Sequence, residues 1–220
     1  MPTAREALLE AARAALTARP WPVVRMVDVA AAAGVSRQTL YNEFGGKDGL
    51  ARALLRRETD WYLDGVDRAL GSHAAGRERL LAVAEWTVRA ARAHPLVRAL
   101  LTGCWDERLP VPRPGPARAP SAVPAQRRAD AGVPGPAELA RAVRDRAAAA
   151  LEPGEGTRRR CELAVRVALS CVIAPPEEPG EAALRELLGI AERPGELRAA
   201  ELRQGPPGGF SARSRRAGGR

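Results

Sequence analysis

Residues 27–44 of the chain read VDVAAAAGVSRQTLYNEF and hold two short helical patterns on either side of Gly34. Gly34 predicts a tight turn because glycine tolerates a positive φ, and Ser36 predicts the cap of the second helix. Ala30 is small where the two helices would cross. The stretch therefore predicts a helix-turn-helix, and the alternative is two ordinary packed helices joined by a glycine turn.

The second of these helices has a polar outer face and an apolar inner one. Val29, Val35 and Leu40 are expected to bury the inner faces of the pair together. The outer face presents Arg37, Gln38, Thr39 and Asn42. A helix fits the major groove of DNA, and such side chains donate to and accept from base edges. The pattern indicates a helix that reads base edges.

Apolar periodicity predicts helices over most of the remaining chain. Alanine is abundant and β-branched runs are few, which favours an all-α fold. The predicted helices cover residues 4–18, 26–33, 37–44, 47–70, 77–93, 95–104, 137–151, 155–174 and 181–191. We expect a three-helix head at 1–50, a helical domain at 51–204 and a disordered basic tail at 205–220.

Two segments of the C-terminal part stand out. Residues 110–136 hold eight prolines and few large apolar groups, so a flexible or polyproline-like excursion is expected there. Residues 163–173 are apolar nearly all round a helix, apart from Arg166 and Ser170. A helix apolar on every side must be buried on every side, and in so small a domain a partner chain would cover the outer face. Helices 137–151 and 155–174 are therefore expected to form a four-helix interface in a homodimer.

Composition excludes several classes of protein. The chain has 220 residues and a net charge of +9, which suggests affinity for polyanions but names no site. The longest uncharged stretch is about ten residues, too short to span a membrane. Charged residues near the N-terminus argue against a signal peptide. Three cysteines without zinc spacing indicate neither a disulfide scaffold nor a metal site, and a cytosolic location is expected. No enzyme motif and no cofactor motif appears.

The first 50 residues resemble the tetracycline-repressor-like (TetR) family of bacterial transcription regulators. The resemblance is carried by Leu8-Leu9, Ala11-Ala12, Val29-Ala30, Ala33-Gly34-Val35-Ser36, Thr39-Leu40-Tyr41, Phe44, Lys47 and Leu50. It implies a recognition helix that bears Ser36, Arg37, Gln38, Thr39 and Asn42. It also implies phosphate contacts from Tyr41 and Lys47, with Phe44 and Leu50 in the core.

The head departs from the family pattern at several positions. Val24 and Arg25 stand where Thr or Ser usually touches phosphate, and Arg25 is expected to replace that contact by charge. Gly46 stands where a Ser or Thr cap is usual, and Gly49 is expected to weaken the first turn of the fourth helix.

The resemblance implies a cytoplasmic, homodimeric repressor that binds operator DNA and responds to a small-molecule effector. The alternative is a nonspecific nucleic-acid-binding or scaffold protein that uses the basic Pro/Arg-rich segments, and an enzyme with a DNA-binding head has no motif to support it. The residues predicted to line an effector pocket are Trp61, Trp86, Arg89, Leu101 and Trp105. The three tryptophans could equally fill the core, and that alternative stays open here.

Overall fold

A computed structural model describes residues 3–72, 76–112, 132–154, 156–175 and 184–185. In these residues the chain is helical and contains no strand, so the predicted all-α fold is confirmed. The helices are α1 (Ala4–Ala18), a 3₁₀ helix (Trp21–Val23), α2 (Met26–Ala32), α3 (Arg37–Phe44), α4 (Lys47–Gly71), α5 (Gly76–Ala93), α6 (Pro95–Thr102), α7 (Pro136–Ala150) and α8 (Thr157–Ile173). Each of these α-helices begins and ends within two residues of its predicted bounds.

Local chemistry accounts for the helix ends. Thr3 and Glu6 form a capping box at the start of α1, in which each side chain accepts from the other's backbone N–H. Gly45 ends α3 with a φ of 71° and Gly103 ends α6 with a φ of 74°. Most of the proline-rich segment 110–136, most of the predicted helix 181–191 and the tail 205–220 lie outside the described residues.

The described residues pack into two hydrophobic cores that share α4. The first core joins α1, α2 and α3 to the first half of α4, and Leu8, Leu40 and Leu54 are fully buried in it. The second joins the other half of α4 to α5, α6, α7 and α8, and it includes Leu184. Because α4 is a single helix of 25 residues, it carries the head on one end and the C-terminal helices on the other.

The crossing of α4 and α5 depends on a glycine. A Cβ at Gly65 would lie 2.1 Å from the ring of Trp86, so no other residue fits beneath that ring. The indole Nε1 of Trp86 donates to the backbone oxygen of Tyr62 at 3.0 Å. The Tyr62 hydroxyl is buried against the Thr87 hydroxyl at 2.9 Å, and burial raises the pKa of Tyr62 to about 12.

Helix α8 is buried on one face and apolar on part of the other. Cys161, Ala164 and Ala168 face α5 and α7, whereas Leu163 is 55% exposed and Ile173 is 65% exposed. Arg166 and Ser170 are exposed between these two residues, so the outer face of α8 carries polar and apolar groups together, and the described residues leave it open. No helix of the described part of the chain, α8 included, is long and apolar enough to cross a membrane.

Candidate nucleic-acid interface

The helix-turn-helix forms at residues 26–44 with the turn geometry that the sequence predicts. Gly34 has a φ of 67°, and the N–H of Val35 donates to the oxygen of Ala30 at 3.1 Å. Val29 and Ala30 are buried, so the two helices cross closely. This packing holds α3 against α1 and α4 and fixes which of its faces is open.

The open face of α3 is polar. Arg37, Gln38 and Asn42 are exposed, and Tyr41 is 43% exposed, while Leu40 and Phe44 on the opposite face are buried. The amide of Gln38 donates to Oδ1 of Asn42 at 2.8 Å, which aligns two bidentate amide groups one turn apart. The structure thus places these four side chains on one accessible surface.

Two other residues of the predicted recognition helix serve its first turn. The Ser36 hydroxyl accepts from the backbone N–H of Thr39 at 3.0 Å and contacts the Thr39 hydroxyl at 2.8 Å. Thr39 is half-buried. Both hydroxyls therefore take part in the hydrogen bonds that cap the first turn of α3. The side chains that point outward without a capping role are those of Arg37, Gln38, Tyr41 and Asn42.

Arg25 stands immediately before α2 and is held by a carboxylate. Its Nε and Nη2 donate to the two oxygens of Asp28 at 3.1 and 3.3 Å. Asp28 also lies 3.7 Å from Nη1 of Arg19. Most of the Arg25 side chain is exposed, so the remaining guanidinium donors face solvent in a fixed orientation. Sequence reasoning missed Asp28, although its i, i+3 spacing from Arg25 was visible.

Lys47 lies at the start of α4 and is half-buried. Its ammonium donates to the backbone oxygen of Pro22 at 2.9 Å and lies 5.5 Å from the centre of the Trp21 ring. Burial lowers the pKa of Lys47. An ammonium carries three hydrogens, so the bond to Pro22 leaves two for an anion. Sequence reasoning missed Trp21 as a neighbour of this lysine, because 26 residues separate the two.

The sequence predicts that Gly49 weakens the first turn of α4. The structure gives Gly49 a second role, in the contact between α4 and the end of α3. A Cβ at this position would lie 1.8 Å from the backbone oxygen of Phe44, so only glycine allows the end of α3 to lie against the first turn of α4. The weakening of α4 stays a prediction, and the structure adds a close contact with the backbone five residues earlier, which requires glycine at this position. At Gly46 no side chain caps α4, as the missing hydroxyl predicts.

The residues predicted to line an effector pocket fall in two places. The rings of Trp61 and Trp86 lie 5.0 Å apart between centroids, and the guanidinium of Arg89 lies 5.7 Å from the Trp86 ring. Trp61 also lines an open groove of about 1700 Å³ over α1, α2 and α4. Leu101 is buried on α6, and Trp105 follows α6 and packs against both cores.

The described residues contain no group of three His, Cys, Asp or Glu side chains that could hold a metal ion. Cys104 is exposed, whereas Cys161 and Cys171 are buried on α8, and all three are free thiols. Burial raises the pKa of Cys161, which disfavours its reactive thiolate.

Comparison with known proteins identifies the head. Residues 8–54 match the family model for bacterial regulatory proteins of the tetR family. The HTH-type transcriptional regulator AlkX of Mycobacterium tuberculosis is 40% identical over 100 residues, which cover 45% of this chain and 47% of AlkX. An uncharacterized HTH-type transcriptional regulator of the same organism is 32% identical over 99 residues, 45% of this chain and 49% of that protein. The chain spans about half the length of the curated relatives it matches.

The fold extends the likeness beyond the head. The TetR family repressor AlkX from Dietzia sp. strain DQ12-45-1b, implicated in biodegradation of n-alkanes, has a TM-score of 0.50 at 21% identity, over 91% of this chain and 96% of that one. At that identity the likeness concerns the fold alone. Residues 8–54 therefore carry the sequence pattern of the tetR family of bacterial regulatory proteins, and the described helices are similar in fold to a TetR family repressor.

Proposed function

We propose that this chain is a sequence-specific DNA-binding transcription regulator, and that it acts as a ligand-responsive repressor in the cytoplasm. The observation that carries the proposal is the exposed face of α3, where Arg37, Gln38, Tyr41 and Asn42 stand together above the buried Leu40. Arginine is suited to the acceptors of guanine, and Asn or Gln to the edge of adenine. The regulator would act by binding alone, without catalysis.

Phosphate contacts would position α3 in the major groove. Tyr41 offers an exposed hydroxyl, Arg25 offers guanidinium donors held by Asp28, and Lys47 offers an ammonium at the start of α4. A helix N-terminus attracts anions, which favours phosphate near Lys47. Contacts of this kind fix the register of the protein on DNA, whereas the side chains of α3 would read its sequence.

A homodimer would place two such heads on one operator. The exposed apolar side chains of Leu163 and Ile173 on α8 support a second copy of the chain packed there with α7. Recognition helices in a two-fold dimer enter successive major grooves about one turn apart. We therefore expect a palindromic operator whose half-sites have that spacing.

A small apolar effector is proposed to bind near Trp61, Trp86 and Arg89, with Leu101 and Trp105 farther along the same domain. The half-buried pair of tryptophans on α4 and α5 supports this placement, because a ligand there would touch the helix that carries the head. A ligand that quenches tryptophan fluorescence at this site should also weaken DNA binding. By thermodynamic linkage, operator DNA should lower the affinity for the ligand by the same factor.

Selection from a randomised duplex pool tests the proposed function. The full chain should enrich a palindromic consensus, and the enriched duplex should compete far better than a shuffled duplex of the same composition. A second experiment deletes residues 205–220, the basic tail. Sequence-specific binding that survives the deletion supports the head as the reader. Failure to enrich any consensus, or loss of all binding with the tail, favours the nonspecific nucleic-acid-binding alternative instead.

A further inference from the structure

A short segment after α6 folds back onto the head. We call residues Gly103–Pro110 the strap. Gly103 turns the chain out of α6 with its positive φ. The Asp106 side chain then accepts from the backbone N–H of Arg108. The backbone oxygen of Asp106 accepts from the N–H of Leu109 at 3.1 Å. These bonds give the strap a defined turn.

The strap contacts the head through backbone and apolar groups. The oxygen of Arg108 accepts from the backbone N–H of Trp21 at 2.7 Å. Leu109 and Trp105 pack against the head core, and Pro110 is buried. Leu96 of α6 is also buried in the head core. The C-terminal domain therefore reaches the head by a second route besides α4.

This route ends at Lys47. Trp21 is bonded to the strap through its backbone N–H, and its side chain, 7% exposed, has its ring centre 5.5 Å from Nζ of Lys47. The same ammonium donates to the oxygen of Pro22, the residue that follows Trp21. Lys47 is the only lysine among the 35 basic residues of the chain. Two contacts thus connect the strap to this ammonium: the hydrogen bond from Trp21 to Arg108, and the contact between the Trp21 ring and Lys47.

We propose that Trp21 is a positioning residue for Lys47, and that the strap holds Trp21 and so links the C-terminal domain to DNA affinity. This inference rests on the proposed function and adds a route of regulation to it. A free lysine side chain loses rotamer entropy when it binds phosphate. The Trp21 ring attracts the ammonium and restricts those rotamers beforehand, so less entropy is lost on binding. An effector that shifts α6 would move the strap and release Trp21. The Lys47 side chain would then be free in solution and would bind phosphate more weakly.

The salt dependence of DNA binding distinguishes positioning from mere stability. The probe is the duplex that the full chain enriches from a randomised pool. Loss of one phosphate contact reduces the slope of log affinity against log salt by about 0.9 per protomer. Partial unfolding of the head lowers the active fraction equally at all salt concentrations and leaves the slope unchanged. Lys47→Met should therefore reduce the slope, whereas Leu9→Ala, a change in the head core, should weaken binding without changing it.

Trp21→Leu and Trp21→Phe form the matched pair. Trp21→Leu keeps an apolar group but removes the aromatic face, so Lys47 should contact phosphate in fewer of the complexes, and the slope should fall part of the way towards that of Lys47→Met. The Trp21→Leu/Lys47→Met double variant should match Lys47→Met alone. Trp21→Phe retains an aromatic face and should keep the slope of the unmodified chain.

Variants of the strap test the second half of the proposal even if Trp21→Leu fails to fold. Leu109→Ala should reduce the salt slope, whereas Val111→Ala, at an exposed position just beyond the strap, should not. If Lys47→Met reduces the slope but neither Trp21→Leu nor Leu109→Ala does, the inference is overturned and the proposed function stands. If Lys47→Met leaves both affinity and slope unchanged, the assigned phosphate contact is itself wrong, and the inference falls with it.

Discussion

Gly49 illustrates how one residue can fix the start of a helix. The end of α3 and the first turn of α4 approach so closely that the Phe44 oxygen occupies the place of a Cβ on Gly49. Gly46, three residues earlier, has nothing within 4 Å of such a Cβ. Two glycines at the start of α4, only three residues apart, therefore have different physical roles, and the difference is measurable.

Gly49→Ala should destabilise the head, although alanine is normally the better helix former by about 1 kcal/mol. The expected loss is about 1–3 kcal/mol, because α3 and α4 must separate to admit a methyl group. Urea unfolding at pH 7 measures it. Gly46→Ala is the control and should cost less, about 0.5–1 kcal/mol, because it changes only the N-cap residue and its methyl group meets nothing within 4 Å. If the two changes lower the free energy of unfolding by the same small amount, the close contact between Gly49 and the Phe44 oxygen is contradicted.

The sequence predicts which residues of the site are exposed better than it predicts their partners. The caps and periodicity of residues 36–44 identify the open side chains of α3, because helix geometry alone determines which residues share a face. The bond of Lys47 to Pro22 and the contact of Trp21 with Arg108 join positions far apart in sequence. Their geometry follows from tertiary packing, which no local pattern encodes.

At the scale of elements, ion pairs tie α1 to α4. Glu10 accepts from Arg13 on its own helix and from Arg57 on α4. These two guanidinium groups lower the pKa of Glu10 to about 2. The ordinary value is 4.5, so the ionised form stabilises the folded head. Its contribution is complete above about pH 5 and is lost as the pH falls towards 2.

Glu10→Gln should therefore cost stability at pH 7 and progressively less at acid pH. Glu10 is half-exposed, so the expected loss at pH 7 is about 0.5–1 kcal/mol. Urea unfolding at pH 7 and pH 3.5 measures the difference. Glu107→Gln, at an exposed carboxylate of the strap, serves as the control and should show a small effect at either pH. A Glu10→Gln deficit that grows as the pH falls would have the wrong sign for this account.

The α4–α5 crossing gives a second prediction at this scale. Gly65→Ala should destabilise the chain by about 1–3 kcal/mol, because the new methyl group meets the Trp86 ring. The same change should alter tryptophan fluorescence, since the Trp86 ring must move and its contact with the Trp61 ring must change. Gly71→Ala, where a Cβ meets nothing within 4 Å, is the matched control on α4. An unchanged emission spectrum for Gly65→Ala would show that the ring is not held there.

At the scale of the whole molecule, sequence periodicity predicts the helices and their order, because each apolar face needs a neighbour. It does not predict that α4 belongs to both cores. The boundary between domains drawn after residue 50 cuts through this helix, whose residues contribute to the head as far as Leu55. Sequence periodicity likewise does not predict the strap. Its position depends on the hydrogen bond between Arg108 and Trp21, which are far apart in the sequence.

The exposed face of α8 gives the prediction for assembly. Leu163→Glu would replace an apolar contact of the proposed dimer interface by a charge, whose burial there costs several kcal/mol. Sedimentation should show a dimer for the unmodified chain and a monomer for this variant. Val111→Glu changes a similarly exposed apolar residue outside α8 and should leave the dimer intact. A Leu163→Glu chain that still sediments as a dimer would exclude α8 from the interface.

The most direct test of the central claim compares affinities for two duplexes, one enriched from a randomised pool by the full chain and one shuffled. The combined variant Arg37→Ala/Gln38→Ala/Asn42→Ala should lose most of the ratio between them, since each lost base contact removes about 1–3 kcal/mol of discrimination. Arg92→Ala on α5, an exposed arginine outside the head and outside the proposed dimer interface, should preserve the ratio. If the combined variant discriminates between the two duplexes as well as the unmodified chain does, α3 does not read the bases.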